Sequence, residues 1–126
     1  MSASIKEAGH AVVIEYEAKN GRIATLHEKD GYDLISIGPD GTRHIEVKST
    51  SKDRFQWRWL TEDQFKAVVK DPLFFLYLVK DVFGRAEITE MRRDDVLCRH
   101  QGTTVLHIIS FPQKLEATDS ERDEDV

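Results

Sequence analysis

The chain has 126 residues, 33% charged and 40% apolar, enough for one hydrophobic core, too few for two domains, and without the ~20-residue apolar run that crosses a bilayer. Its net charge of −5 argues against strong non-specific binding to nucleic acid, but Glu116, Asp119, Glu121, Asp123, Glu124 and Asp125 against Arg122 carry that whole excess, and the remaining body balances 17 basic with 17 acidic residues. A single cysteine, Cys98, excludes an internal disulfide and a multi-cysteine zinc site; with no signal-peptide core, the expectation is an intracellular protein of the cytoplasm or nucleoid/nucleus.

Ile5, Ala8, Val12 and Tyr16 recur at spacings of three or four, with Val13 and Ile14 widening the stripe, which predicts a helix from Ser4 to about Lys19. Ser4 is its N-cap, Glu7 its third residue and Asn20-Gly21 its stop. His10, Val13 and Glu17 share one edge. Arg22 to Glu28 is a predicted strand. Tyr32 to Ile37 and His44 to Thr50 flank Gly38-Pro39-Asp40-Gly41 and predict a β-hairpin. Phe55-Gln56-Trp57-Arg58-Trp59 alternates as a strand, and its tryptophans are expected in the core. Thr61 and Gln64 form a capping box that opens a second helix, ending near Lys70 before Asp71-Pro72. Leu73 to Val79 is almost continuously apolar and should be a buried strand. Arg85 to Met91 and Val105 to Phe111 complete the strands, and Arg92-Arg93-Asp94-Asp95 between them suggests a short turn. The domain is expected over 1–112, with 113–126 an acidic, disordered tail.

The chemistry is concentrated in the hairpin. Glu46 and Lys48 are two apart and project from one strand face, while Ile45 and Val47 project from the other. A two-residue loop of Pro39-Asp40 sets Asp33 opposite Glu46, and one of Asp40-Gly41 sets it opposite Lys48; a three-residue loop turns it away. A solvent-facing antiparallel sheet carries the same pattern without any site. Two carboxylates suit a hard divalent cation such as Mg²⁺, and a nearby ammonium supports the charge that develops when water attacks a phosphodiester.

Asp33, a twelve-residue gap and Glu46-Val47-Lys48 resemble the signature of the PD-(D/E)xK nuclease superfamily, with Tyr32 in the place of proline. More narrowly, Gly31-Tyr32-Asp33-Leu34-Ile35-Ser36 and Ile45-Glu46-Val47-Lys48-Ser49-Thr50, followed by Leu60-Thr61-Glu62, resemble the NO VEIN C-terminal-like (Mrr-like) domain over about Gly9 to Val82. The resemblance implies an α/β restriction-endonuclease-like core, a mixed central sheet flanked by helices in αβββαβ order, with extra C-terminal strands. It implies a metal-dependent endonuclease, Mg²⁺ with Mn²⁺ as an alternative, held by Asp33, Glu46 and the Val47 carbonyl, with Lys48 orienting the attacking water and a 5′-phosphate left behind. It also suggests Glu17 as a catalytic residue that positions Lys48 or holds a second ion. His10 stands where the family often has another glutamate, and is expected to contact substrate or to pack.

Lys52, Arg54 and Arg58 are the other candidate contacts to the phosphate backbone. Cys98, His100 and His107 lack a close-spaced pair and make a poor zinc signal. The expected partner is DNA, in a defence, restriction or repair system, with a homodimer because two strands require two sites. A catalytically inactive binding module is the alternative, and the acidic tail suggests a basic protein partner.

Overall fold

The computed structural model describes residues 4–55, 59–100 and 107–109. Helix α1 (Ile5–Lys19) begins where the Ser4 hydroxyl accepts the Glu7 N–H and the Glu7 carboxylate accepts the Ser4 N–H, both at 3.1 Å. Three strands follow, β1 (Ile23–Lys29), β2 (Tyr32–Gly38) and β3 (Gly41–Ser49), then the two-residue strand β4 (Trp59–Leu60) and helix α2 (Glu62–Lys70). The chain continues through β5 (Phe74–Lys80), β6 (Glu87–Arg92), α3 (Arg93–Cys98) and β7 (His107–Ile108).

The five long strands form one sheet in the order β1-β2-β3-β5-β6. β3 and β5 are parallel, and every other neighbouring pair is antiparallel. Parallel neighbours need a crossover connection, which α2 provides. Each face of the sheet has its own core. Val13 of α1 packs with Leu34, Ile45, Val47, Tyr77 and Val79 on one side. Leu60, Val68 and Val96 pack with Phe74, Leu76 and Leu78 on the other. Burial on both faces explains why the β5 sequence is apolar without alternation. Strands β4 and β7 pair as a small antiparallel ribbon.

Three local outcomes differ from the sequence expectation. Arg93 to Cys98 is a short helix rather than a turn. Of the predicted aromatic strand, the described part is Phe55, which is buried, and the backbone of β4; residues 56–58 lie outside the described residues, as do the 105–106 and 110–111 parts of the last predicted strand and the acidic tail. The third concerns α1, whose buried residues are Gly9, His10, Val13 and Glu17, while Ile5 is 40% exposed. The helix buries the edge that carries His10, Val13 and Glu17, with Ala8, Val12, Ile14 and Tyr16 half-buried beside it. A Cβ at Gly9 would lie 1.8 Å from Ser49 Oγ, so α1 closes on β3 because position 9 has no side chain.

Candidate active site

Gly38 pairs with Gly41 and Leu34 with Ile45, so the hairpin loop is Pro39-Asp40 and the ladder, continued one step, sets Asp33 against Glu46. At that point the strands no longer bond backbone to backbone; the Asp33 carboxylate accepts the Val47 N–H at 2.9 Å. Asp33 is held there from both sides. Before it, the Tyr32 ring is stacked between His27 and His44, with centroids 4.7 and 4.3 Å away and planes within 6°. Each histidine is fixed by a carboxylate, His27 by Asp30 at 3.0 Å and His44 by Asp71 at 2.6 Å. Gly31 takes a positive φ of 87° and its Cα faces the Asp63 carbonyl so closely that a Cβ would lie 2.5 Å from that oxygen. The turn before Asp33 is thereby pressed against the start of α2.

Glu46 is 4% exposed. Burial, and after it the charge and hydrogen bond of Asp33, push its carboxyl well above the usual carboxylate range, while Lys48 pulls the other way. Two acids thus share a dry corner, an arrangement that is costly when both are ionised and favourable once a cation joins them. Lys48 Nζ lies 3.9 Å from Glu46 Oε2. Gln64 of α2 stands between these two groups: its Nε2 donates to Glu46 Oε2 at 2.8 Å, and its Oε1 accepts from Lys48 Nζ at 3.1 Å and from the Thr61 N–H at 2.9 Å. Sequence reasoning found Gln64 only as a capping residue; its reach toward the hairpin depends on how α2 docks, for which a capping box carries no signal.

His10 also reaches the site. It is 5% exposed, with Nε2 at 3.4 Å from Asp33 Oδ2 and Nδ1 at 3.9 Å from Glu28 Oε2, and its buried Nε2 has no hydrogen-bond partner. Of the two expectations for His10, substrate contact or packing, the structure shows the packing: it is an interior neighbour of Asp33. The expectation for Glu17 is corrected. Fully buried, it accepts from Arg22 Nε at 2.5 Å, Arg22 Nη2 at 2.8 Å, Ser36 Oγ at 2.8 Å and Tyr77 Oη at 2.8 Å. Those partners saturate both its oxygens, and two helical turns, about 10 Å, separate it from His10. Glu17 anchors α1 to the sheet and is not brought to Asp33, Glu46 and Lys48.

Lys52 and Arg54 are exposed on the segment leaving β3 beyond Lys48, at the same end of that strand as the acids. Arg58 lies outside the described residues. The acids open into a cavity of about 170 Å³ whose walls include Glu28, Asp33, Glu46, Asp63 and Gln64. A larger hollow of about 610 Å³ shares Tyr32 and Asp63 with it and carries Lys66 and Lys70 of α2. Among the described residues no three His, Cys, Asp or Glu side chains already converge on one point. Two adjacent carboxylates nevertheless match a hard divalent cation that completes its shell with water and phosphate. Among the described residues no helix is long and apolar enough to cross a membrane.

A mixed sheet with a parallel β3–β5 centre, flanked by helices on both faces and carrying Asp33 and Glu46-Val47-Lys48 at one end of its hairpin, is a restriction-endonuclease-like α/β fold. The fold is similar to that of Hjc, a Holliday junction resolvase from the archaeal hyperthermophile Archaeoglobus fulgidus, with a TM-score of 0.61 and 15% identity over 84% of each chain. Residues 5–91 match the family model described as Protein NO VEIN, C-terminal, and the chain belongs to that family. No curated protein matches it in sequence.

Proposed function

We propose that the protein is a divalent-metal-dependent DNA endonuclease that hydrolyses phosphodiester bonds in a defence, restriction or repair system inside the cell. The observation that carries this reading is the docking of Asp33 on the Val47 N–H at 2.9 Å, next to the buried Glu46, with the Lys48 ammonium 3.9 Å from Glu46. Asp33, Glu46 and the Val47 carbonyl would hold Mg²⁺ or Mn²⁺, which when bound acidifies a water molecule and offsets charge on the phosphodiester. Lys48 orients the attacking water and stabilises the negative charge that grows on the phosphate oxygens. The Val47 N–H holds Asp33 from behind, and the buried His10 ring packs beside it. Lys66 and Lys70 on the neighbouring hollow, which Asp30, Asp63 and Asp71 also line, and Lys52 and Arg54 beyond Lys48 supply positive charge to neighbouring phosphates. By the family resemblance the product carries a 5′-phosphate, and cleavage of both strands calls for two copies of the chain.

The test is incubation with supercoiled plasmid, single-stranded DNA and a four-way junction, in Mg²⁺, Mn²⁺ or EDTA. Metal-dependent cutting that disappears in Asp33→Ala and in Lys48→Ala is the expected result. No cutting of any substrate, together with no metal binding by calorimetry, would refute it. A second reading, an inactive nuclease-fold module that binds nucleic acid or a protein partner, is favoured by one observation: the side chain α1 brings to Asp33 is a histidine and not an acid. Retained DNA binding without cleavage in every metal would support that alternative. A basic partner for the acidic segment 116–126 is tested separately by deleting that segment, with loss of a complex as the sign.

A further inference from the structure

We infer that Gln64 is a positioning residue of the nuclease site, holding Glu46 and Lys48 apart and oriented, and so making the first turn of α2 a part of the catalytic apparatus. The inference rests on the nuclease reading above and adds to it a residue from an element outside the Asp33 to Lys48 hairpin.

The orientation of the Gln64 amide follows from its neighbours. Its oxygen faces two groups that can only donate, the Thr61 N–H at 2.9 Å and the Lys48 ammonium at 3.1 Å. Its nitrogen faces a carboxylate oxygen, Glu46 Oε2, at 2.8 Å. A flipped amide would set its N–H groups against the Thr61 N–H and the Lys48 ammonium, which have nothing to accept them, so only one orientation satisfies these contacts. The Gln64 backbone is fixed in turn, because its N–H donates to Thr61 Oγ1 at 3.2 Å in a reciprocal capping box. The side chain therefore stands on a rigid base, with few rotamers left to it.

Its effect on the site is twofold. Lys48 Nζ is closer to the Gln64 oxygen than to Glu46, 3.1 against 3.9 Å. A neutral amide thus takes the place that a close Lys48–Glu46 ion pair would occupy, and the ammonium is kept as a donor for a phosphate or a water. Glu46 has one oxygen engaged by Gln64 and keeps the other for its partner. A group that orients a metal-binding carboxylate in this way commonly changes metal affinity or activity 10–100-fold when removed. A capping role alone predicts none of this, because a cap acts on helix stability.

Three variants separate the two roles. Gln64→Ala should weaken Mn²⁺ binding about tenfold by calorimetry and lower kcat by a similar factor, with little change in KM for DNA. Gln64→Glu keeps the oxygen that caps Thr61 but sets a third carboxyl against Glu46, and kcat should fall at least about tenfold because the new carboxylate captures Lys48 and has no N–H for Glu46. Ser4→Ala, which removes the corresponding cap of α1, should lower Tm while leaving Mn²⁺ affinity unchanged. Wild-type Mn²⁺ affinity in Gln64→Ala, or wild-type kcat in Gln64→Glu, overturns the positioning role and leaves the nuclease reading standing. A wild-type protein that neither binds Mn²⁺ nor cuts DNA overturns both.

Discussion

Glu17→Gln removes one negative charge from a place that water does not reach. The wild-type carboxylate is fully buried and receives four hydrogen bonds of 2.5–2.8 Å from Arg22, Ser36 and Tyr77, and the Arg22 side chain is itself only 13% exposed. In the variant the amide nitrogen faces donors, and the guanidinium keeps its charge without a counter-ion. Breaking a buried pair from one side costs about 3–5 kcal/mol, a large share of the roughly 5–15 kcal/mol that holds a domain together. With a urea m-value of about 1.5 kcal/mol/M, the midpoint should fall by about 2–3 M. Urea unfolding followed by far-UV circular dichroism at pH 7 measures it. The pH dependence has a definite sign. Burial pushes the Glu17 carboxyl up, but the hydrogen bonds from Arg22, Ser36 and Tyr77 and the Arg22 charge prevail and hold it below its ordinary value of 4.5. Its contribution is therefore complete above pH 4.5 and is lost as pH falls through the lower folded value, so the deficit of the variant should shrink in acid. An unchanged midpoint with abolished DNA cleavage would refute this reasoning and return Glu17 to the reacting site.

Other outcomes follow from the same geometry. Glu46→Gln should melt at or above the wild type in EDTA at pH 7. The folded protein retains the Glu46 proton to a higher pH than the unfolded chain, so wild-type stability declines as pH rises from 4.5 through the raised folded value. The same variant should lose the stabilisation that Mn²⁺ gives the wild type, about 2.7 kcal/mol at a concentration one hundred times Kd; a melting point below the wild type in EDTA would count against the crowded-acid description. Lys48→Ala should lower kcat by about 10²–10³ while calorimetry still registers the metal. Gly9→Ala should cost about 1–3 kcal/mol by forcing α1 away from Ser49, and Ser49→Gly should restore most of it, a coupling that a double-mutant cycle reads directly.

The hairpin and its three charged residues were legible because a period-two pattern and a Pro-Asp-Gly turn are local properties of the sequence. The loop alternatives left Asp33 facing either Glu46 or Lys48, and the Gly38–Gly41 pairing selects the first. Both long helices began at the predicted caps, since a capping box is written within four residues. The inward face of α1 was not legible in the same way. Its predicted stripe of Ala8, Val12 and Tyr16, widened by Val13 and Ile14, does pack on the core, but the most buried edge also takes in Gly9, His10 and Glu17, because Ser49, against which Gly9 closes, and the Glu17 partners Ser36 and Tyr77 come from elements farther along the chain. The same is true of Gln64, whose second and third hydrogen bonds cross from α2 to β3. Family resemblance suggested a glutamate of the first helix, and the residue that helix delivers to Asp33 is His10.

His10, Asp33, Glu46 and Gln64 come from α1, the start of β2, β3 and α2, and the cores on both faces of the sheet must close before they meet. A hairpin forms in microseconds, whereas contacts between distant segments await the slow steps of folding. A nascent or partly denatured chain therefore owns the signature residues but not their assembly. On the nuclease reading proposed above, cleavage and global cooperativity should vanish at the same denaturant concentration.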